Sequence, residues 1–597
     1  MSQYTQLFSE RSFGFVNFVH EASFLEHANV FTLPSDYGNT YKSNSGCPNH
    51  LQSASMDSTV LTFIASIVVG ACIVYKLTKR SPFWNIPGPK ADSFIFGHIC
   101  ELLQNQVGLT DFEWQRTYGD IVRFKGSFGS DYLMISDPKA LQRILQTSGY
   151  KWRKTPQRRE FSRLVAGKGL AWADGDVHKR QRKIMLPGFS APEAQNLFPF
   201  FSSCAATLCS LWTDVLATSN EQSQTLDVSD WMSRATLDAI GQAAFDYDFG
   251  AMSDQDTELS KLYRSLTVKI FGTPSKTALL VLDLYRYIPD WVMEFIHDHN
   301  PRMSLLHRVN HLAEVTAKNL VETKSELLLQ GKNKKDIMSL LVKANLEVSQ
   351  NPKLRLSEAE LLAQMRVLLF AGHETSGTSL TFALFELARH PEFQDRLRKE
   401  IRDVERNIMQ RGITEFTVQD LDSMPILNAV VKETLRFHPV AVHLFRVAVE
   451  DEVLPLSKPI VSTTGESLRE LVVPKGTRIV GSIPAYNRHK DVFGIDAFEF
   501  NIDRWLQPGY INNDVSVGVY ANLATFSAGI RSCIGWRFAL LELQAFLVEL
   551  IRNFEFTTTP ALDGIRRESA FLMAPTLEGE VEKGSQMPLK VSIARRD

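Results

Sequence analysis

The sequence predicts a predominantly α-helical, single large domain with small β-sheets, set behind an N-terminal transmembrane helix. Three observations predict it. A charge-poor apolar run lies near the N-terminus, helical periodicity is almost unbroken through the middle of the chain, and no low-complexity break interrupts residues 90 to 590.

The apolar run is Thr59–Leu77, TVLTFIASIVVGACIVYKL, whose one charge is Lys76 near its end. As a helix it spans about 28 Å, close to the hydrocarbon thickness of a bilayer. Lys76, Lys79 and Arg80 lie at its C-terminal side and Asp57 at its N-terminal side, so the positive-inside bias places the downstream chain in the cytosol. A buried core helix is the competing reading. A cleaved signal peptide has the basic flank on the opposite side and fits poorly. Residues 1–58 form an N-terminal extension, lumenal in this orientation. Residues 1–55 hold no repeat or motif, and Met56 directly precedes the apolar run, so Met56 is expected to be the natural start.

Residues 78–90 contain Ser81-Pro-Phe-Trp-Asn-Ile-Pro87-Gly88-Pro89, where prolines fix φ and remove N–H donors, giving a stiff hinge. The domain proper is then 91–597. Its early part mixes helices with short β-rich runs, Ile121 to Lys125 and Tyr132 to Ser136, and from Asp174 to Glu405 the periodicity is almost wholly helical. The longest helix starts at Ser357, which with Glu360 makes a capping box, and runs without proline to His390-Pro391, roughly 48 Å. A shorter helix follows Pro425. Val447 to Ile479 alternates like strands around the turn signals Thr464-Gly465 and Lys475-Gly476.

Composition excludes some functions. Lys and Arg number 65 against 67 Asp and Glu, a net charge of −2, so no nucleic-acid partner is expected. The six cysteines, at 47, 72, 100, 204, 209 and 533, form no CxxC pair, which argues against a disulfide framework and a zinc site.

One cysteine stands apart. Phe526-x-x-Gly529-x-Arg531-x-Cys533-x-Gly535 precedes a helix carrying Ala539 and Glu542. The two glycines permit a tight path that exposes the sulfur to backbone N–H groups, and the following helix N-terminus stabilises a thiolate. Arg531 is placed to meet an anionic haem propionate, Phe526 to pack on the ring, and Cys533 to bind the iron as its metal ligand. This motif resembles that of the cytochrome P-450 family, and the resemblance extends over residues 82 to 590.

Glu433-Thr-Leu-Arg436, followed by His438-Pro439, resembles the family's ExxR helix. Arg504, in Phe500-Asn-Ile-Asp-Arg504-Trp505, would complete a buried Glu–Arg–Arg network of structural role. Ala497 and Asp503 stand where the family often has proline, and Trp505 replaces Phe, so a less rigid loop is expected. Ala371-Gly372-His373-Glu374-Thr375-Ser376, midway along the long helix, resembles the oxygen groove. There Thr375 disturbs the i→i−4 ladder, Glu374 relays protons, and Ala371-Gly372 leaves room for oxygen; His373 reads as structural. His178 and Arg182, at i and i+4, stand where the family has Trp-x-x-x-Arg reaching a haem propionate, and Arg446 resembles a third such contact, with a surface arginine as its competing reading.

The resemblance implies the P-450 fold and a haem cofactor with Cys533 as axial thiolate. It implies a monooxygenase that inserts one atom of O2 into a lipophilic small molecule. Only 64 residues follow Cys533 and no phosphate-cradling fingerprint occurs, so electrons must come from another protein. NADPH-cytochrome P-450 reductase is expected, with cytochrome b5 as a further candidate, docking on Lys179, Arg180, Lys183 and Arg537. Apolar pocket walls are expected at Val367 to Gly372, Val440 to Phe445 and Phe571 to Pro575. The style resembles fungal microsomal members, many of which tailor terpenoids or other secondary metabolites, and implies a single-pass endoplasmic reticulum protein. A haem-thiolate isomerase or dehydratase and a non-enzymatic haem gas sensor are the alternatives, and neither needs the Glu374–Thr375 relay.

Overall fold

The computed structural model describes residues 81–595, with short breaks at 220, 254–256, 265, 301–302, 331–335 and 348–353, and Gly70 before them. Apart from Gly70, the expected transmembrane helix, the extension before it and residues 78–80 lie outside the described residues.

The described chain is mostly helical with small sheets. Its helices include α1 (Pro156–Ala166), α2 (Gly175–Met185), α3 (Phe198–Ala217), α4 (Val228–Ile240), α5 (Leu266–Phe271), α6 (Lys276–Leu284), α7 (Asp290–Asp298) and α8 (Ser304–Leu329). They continue with α9 (Glu358–Arg389), α10 (Pro391–Gln410), α11 (Pro425–Phe437) and α12 (Trp536–Asn553). Proline opens α1, α10 and α11, where a missing N–H costs no helical bond.

Helix α9 is the spine. Ser357 Oγ accepts from Glu360 N at 3.2 Å while Glu360 Oε2 accepts from Ser357 N at 3.0 Å, forming the capping box. The helix runs 32 residues and stops at His390, which the following proline forces out of the helical region. Helices α4, α8, α1, α11 and α12 pack around it, so it is buried on nearly all sides from Leu361 to Ala388.

Among the described residues, Ala191–Ala217 is long and apolar enough to cross a membrane. Its helix α3 instead buries Phe201, Leu208 and Trp212 and packs against α12.

The strands are β1 (Ile121–Lys125), β2 (Asp131–Ile135), β3 (Trp152–Lys154), β4 (Ser223–Asp227), β5 (His443–Ala448), β6 (Glu452–Val461) and β7 (Ser467–Val473). They end with β8 (Arg478–Ser482), β9 (Phe554–Thr557), β10 (Ile565–Ala570), β11 (Leu572–Leu577) and β12 (Pro588–Ile593). The main sheet has the order β1-β2-β8-β5-β3, antiparallel except for the β2–β8 pair. Strands β6 and β7 pair with a register shift between Pro455 and Ile460, and β10 and β11 form a tight hairpin.

Among the described residues, the stretch from Asp174 to Glu405 is almost wholly helical, with one exception. The helical stretch from Asp174 is interrupted by β4, which pairs with β12 at the far end of the chain. A strand whose partner lies more than 350 residues away leaves no local periodic signal.

Candidate active site

Cys533 sits on the loop entering α12, two residues before the N-cap Gly535. Its N–H donates to Phe526 O at 2.8 Å, folding the loop back on itself. Gly529 makes that path possible: its φ is +61°, and a Cβ there would lie 2.2 Å from Leu145 O. Gly535, by contrast, has φ −93° and ordinary surroundings, so its backbone freedom is not used. Its contribution is its N–H, which faces the sulfur.

The thiol is exposed, unlike Cys204 and Cys209, which are buried. Burial of the surrounding site pushes the Cys533 thiol up, while the Gly535 N–H and the Arg182 guanidinium pull it down. The N-terminus of α12 adds positive potential at the same place. Phe526 is buried nearby, with Tyr520 against it at 6.3 Å between centroids.

Beside this loop stands a cluster of cations: Lys154, Arg158, Arg182, Arg446 and Arg531. Arg182 donates to Ser532 O at 2.8 Å and Ser532 Oγ at 3.0 Å, next to the cysteine. Arg531 pairs with Asp174, donates to Gly149 O at 3.3 Å and lies over the Tyr150 ring. Asp174 also caps α2, and although burial raises its pKa, Arg531 holds it below the ordinary carboxylate value. Arg446 is buried, which removes its reading as a surface arginine, and among the described residues its guanidinium donates only to Phe445 O, at 2.9 Å. Burial and Arg531 push Arg446 down to about 10. Lys154 is lowered by burial and by Arg446, and donates to the carbonyls of Leu170, Ala171 and Ala173.

His178 is buried on the same helix face as Arg182, with Nδ1 2.8 Å from the Tyr150 hydroxyl. Burial, Lys154 and the two arginines push it down to about 3, so it is neutral. Lys154, Arg182, Arg446 and Arg531, answered by the carboxylate of Asp174 and set beside an exposed thiol at a helix N-terminus, form a donor set that fits an iron porphyrin carrying two acidic side chains.

The middle of α9 departs from expectation in two ways. First, the Gly372 gap is filled: a Cβ there would meet Ile240 Cδ1 and Cγ1 at 2.7 Å, so the glycine admits α4 rather than leaving room for oxygen. Ala371, one residue earlier, is exposed, and Thr375 half-buried, so the open face lies along those two residues. Thr375 Oγ1 donates to Ala371 O at 2.7 Å, and Thr236 of α4 donates to His373 O at 2.9 Å. Second, Glu374 and Thr375 are not hydrogen-bonded to each other, because successive helix residues point apart. Glu374 is buried and its Oε1 accepts from the hydroxyl of Thr267 on α5; Oε2 has no hydrogen-bond partner among the described residues. Burial pushes Glu374 up to about 7 against the opposing hydrogen bonds from Thr267. His373 is wholly buried, with Nδ1 2.7 Å from Leu369 O.

Glu433, Arg436 and Arg504 are all buried and joined. Arg436 grips Glu433 bidentately at 2.8 and 2.7 Å, and Arg504 Nε reaches Glu433 Oε1 at 3.1 Å. The departures from the family pattern do not loosen this loop. Ala497 O accepts from Arg436 at 2.6 Å, Asp503 binds Arg396 at 2.6 Å, and Trp505 Nε1 donates to Glu433 at 2.8 Å.

The expected pocket walls converge in part: Met573 N donates to Val440 O at 2.8 Å, joining the β11 segment to the end of the ExxR helix. Of the four basic residues expected to meet an electron donor, Arg180 is held by Glu360 and by Arg355 O at 2.8 Å. Lys179, Lys183 and Arg537 are exposed. Sequence reasoning missed Lys154, Arg158, Thr236 and Thr267, each on an element other than the one carrying the motif it serves.

The cytochrome P450 family profile matches residues 87–579. The chain is 34% identical over 544 residues to cytochrome P450 monooxygenase claQ of Ampulloclitocybe clavipes, covering 89% of this chain and 97% of that one. It is 32% identical over 543 residues to cytochrome P450 monooxygenase 205 of Postia placenta, covering 88% and 96%. It is 33% identical over 525 residues to a ganoderic acid synthetase of Ganoderma lucidum, covering 84% and 94%. With the thiol, the cation cluster and the Glu–Arg–Arg network all in place, the chain belongs to the cytochrome P450 family and is a cytochrome P450 monooxygenase.

Proposed function

We propose that this monooxygenase hydroxylates a lipophilic terpenoid or other fungal secondary metabolite at an endoplasmic reticulum membrane, drawing electrons from NADPH-cytochrome P450 reductase. Cys533 would hold the haem, and Arg182, His178, Arg446 and Arg531 would meet its acidic side chains. When bound, haem supplies the redox chemistry: one oxygen atom enters the substrate, the other leaves as water, and NADPH supplies both electrons.

The remaining work belongs to the protein. Thr375 presents its hydroxyl on the open face of α9, and Glu374 holds a proton behind it. The observation that carries the reading is this buried carboxyl next to Thr375, its Oε2 without a hydrogen-bond partner among the described residues; burial pushes it up to about 7, where a group both takes up and releases protons. Rotation of Glu374 away from Thr267 would carry that proton toward Thr375.

The membrane setting is supported by α7, where Trp291 is 73% and Phe295 61% exposed and Ile296 is exposed as well. Such an apolar patch matches a lipid surface. The relatives' names support the substrate class, since one is a ganoderic acid synthetase.

Co-expression with the reductase and metabolite profiling tests this reading. A lipophilic product heavier by one oxygen atom is expected, with NADPH and O2 consumed together and the Cys533→Ala variant inactive. Turnover by Cys533→Ala, or conversion without O2, would overturn it.

A further inference from the structure

We propose that Arg158, stacked on Phe571, is a specificity-determining residue that receives a carboxylate carried by the substrate. The inference rests on the monooxygenase reading above and names the substrate's polar end.

Arg158 is the one member of the cation cluster whose guanidinium has no hydrogen-bond or carboxylate partner among the described residues. Lys154 is bound to three carbonyls, Arg182 to Ser532, Arg446 to Phe445 O and Arg531 to Asp174. The two carboxylates of a haem and Asp174 still leave the cluster positive. Burial, with Arg446 close by, pushes Arg158 down to about 9, which is the mark of a charge short of a counter-ion.

Its geometry is prepared. The Arg158 Cζ lies 3.6 Å from the Phe571 ring centroid, and the Phe161 ring is stacked on Phe571 at 3.4 Å. Two groups so close to one ring must occupy opposite faces, so Phe571 is sandwiched between them. A guanidinium flat on an aromatic face keeps its N–H edge free for the bidentate grip that suits a carboxylate. Phe571 holds φ +70° at the β10–β11 turn, an uncommon conformation for a side chain of its size.

The placement suits substrate rather than cofactor. Arg158 and Phe161 lie on one face of α1, Phe271 of α5 packs on Phe161 at 4.4 Å, and α1 and β11 both pack against α9, which carries Thr375. Helix α1 is also pinned to the apolar α7 by Arg163–Asp298 at 3.0 Å and His297–Glu160 at 2.8 Å. An aromatic wall with one guanidinium at its edge takes a lipophilic acid: the hydrocarbon lies on the rings and the carboxylate on Arg158.

The test is spectral titration of the haem-loaded full chain with hexadecanoic acid and abietic acid, each beside its methyl ester. Both acids are expected to shift the haem spectrum with affinities on the order of tenfold tighter than their esters. Arg158→Gln should erase that acid preference and Arg158→Lys keep part of it, with haem content and the CO-bound thiolate spectrum unchanged in both. Equal binding of acid and ester by the unmutated protein, or no shift with either acid, would overturn the proposal. So would an Arg158→Gln variant with lowered haem content whose haem-loaded fraction keeps the acid preference, which would assign Arg158 to a haem propionate. Loss of the thiolate spectrum in the unmutated protein would instead count against the underlying haem reading.

Discussion

Trp505 donates its indole N–H to Oε2 of Glu433 at 2.8 Å, adding a donor to a carboxylate already held by Arg436, Arg504 and the Asn501 N–H. Glu433, Arg436 and Arg504 are buried and Trp505 is half-buried, so a missing donor leaves buried charge uncompensated. Trp505→Phe keeps the ring and deletes the donor. It should destabilise the haem-loaded protein by about 1 to 3 kcal/mol, read as a lowered midpoint in urea unfolding. An unchanged midpoint would mean that the indole only fills space.

Glu374 has a pKa of about 7, above the ordinary 4.5, because it is buried. It therefore carries its proton below about pH 7 and loses it above. Product formation limited by protonation should fall as pH rises through that value. Glu374→Gln should flatten this limb and lower product formation on the order of 100-fold. Thr375→Ala should instead divert NADPH into peroxide. Tight coupling of NADPH to product in that variant would remove Thr375 from the relay.

Thr267 reaches Glu374 from α5 with both its hydroxyl and its N–H. These hydrogen bonds lower the Glu374 pKa against the rise caused by burial. Thr267→Val deletes the hydroxyl and should move the falling limb of the pH profile to higher pH. A limb in its original position would show that Thr267 does not touch Glu374 in the working enzyme.

The long helix, its capping box, the ExxR pair and the cysteine loop were legible in sequence because each is encoded within a few residues. What escaped sequence reading depends on partners from distant elements. Ile240 fills the space at Gly372, Thr267 occupies Glu374 Oε1, and Glu360 occupies Arg180. The spacing of a motif fixes which face a residue shares, but not which side chain arrives from the neighbouring helix. Trp505 and Asp503 show the same limit: a loop expected to be less rigid is held by Glu433 and by Arg396 on α10.

Glu542 on α12 is wholly buried, and burial pushes it up to about 8 against the opposing effect of the nearby Ser376 hydroxyl. Its folded pKa lies above the unfolded value of 4.5, so the folded state holds the proton more tightly. The stability from that proton is complete below about pH 4.5 and is lost as pH rises toward 8. Glu542→Gln, which carries no titrating group, should gain stability relative to the unmutated protein between pH 5 and 8, by on the order of a few kcal/mol. Parallel stability curves for the two proteins across that range would refute a neutral Glu542.

Lys183 and Arg537 are exposed, whereas Arg180 beside them is bound to Glu360. An acidic partner would thus feel the first two directly and the third only after breaking an internal ion pair. Lys183→Glu and Arg537→Glu should each raise the reductase concentration needed for half-maximal turnover several-fold at low salt, with the gap narrowing as salt screens it. Arg180→Glu sets like charges against each other at Glu360, so its effect should appear as lowered thermal stability, with no salt-dependent change in reductase affinity. If Lys183→Glu and Arg537→Glu leave the reductase dependence unchanged, the electron donor docks on another face.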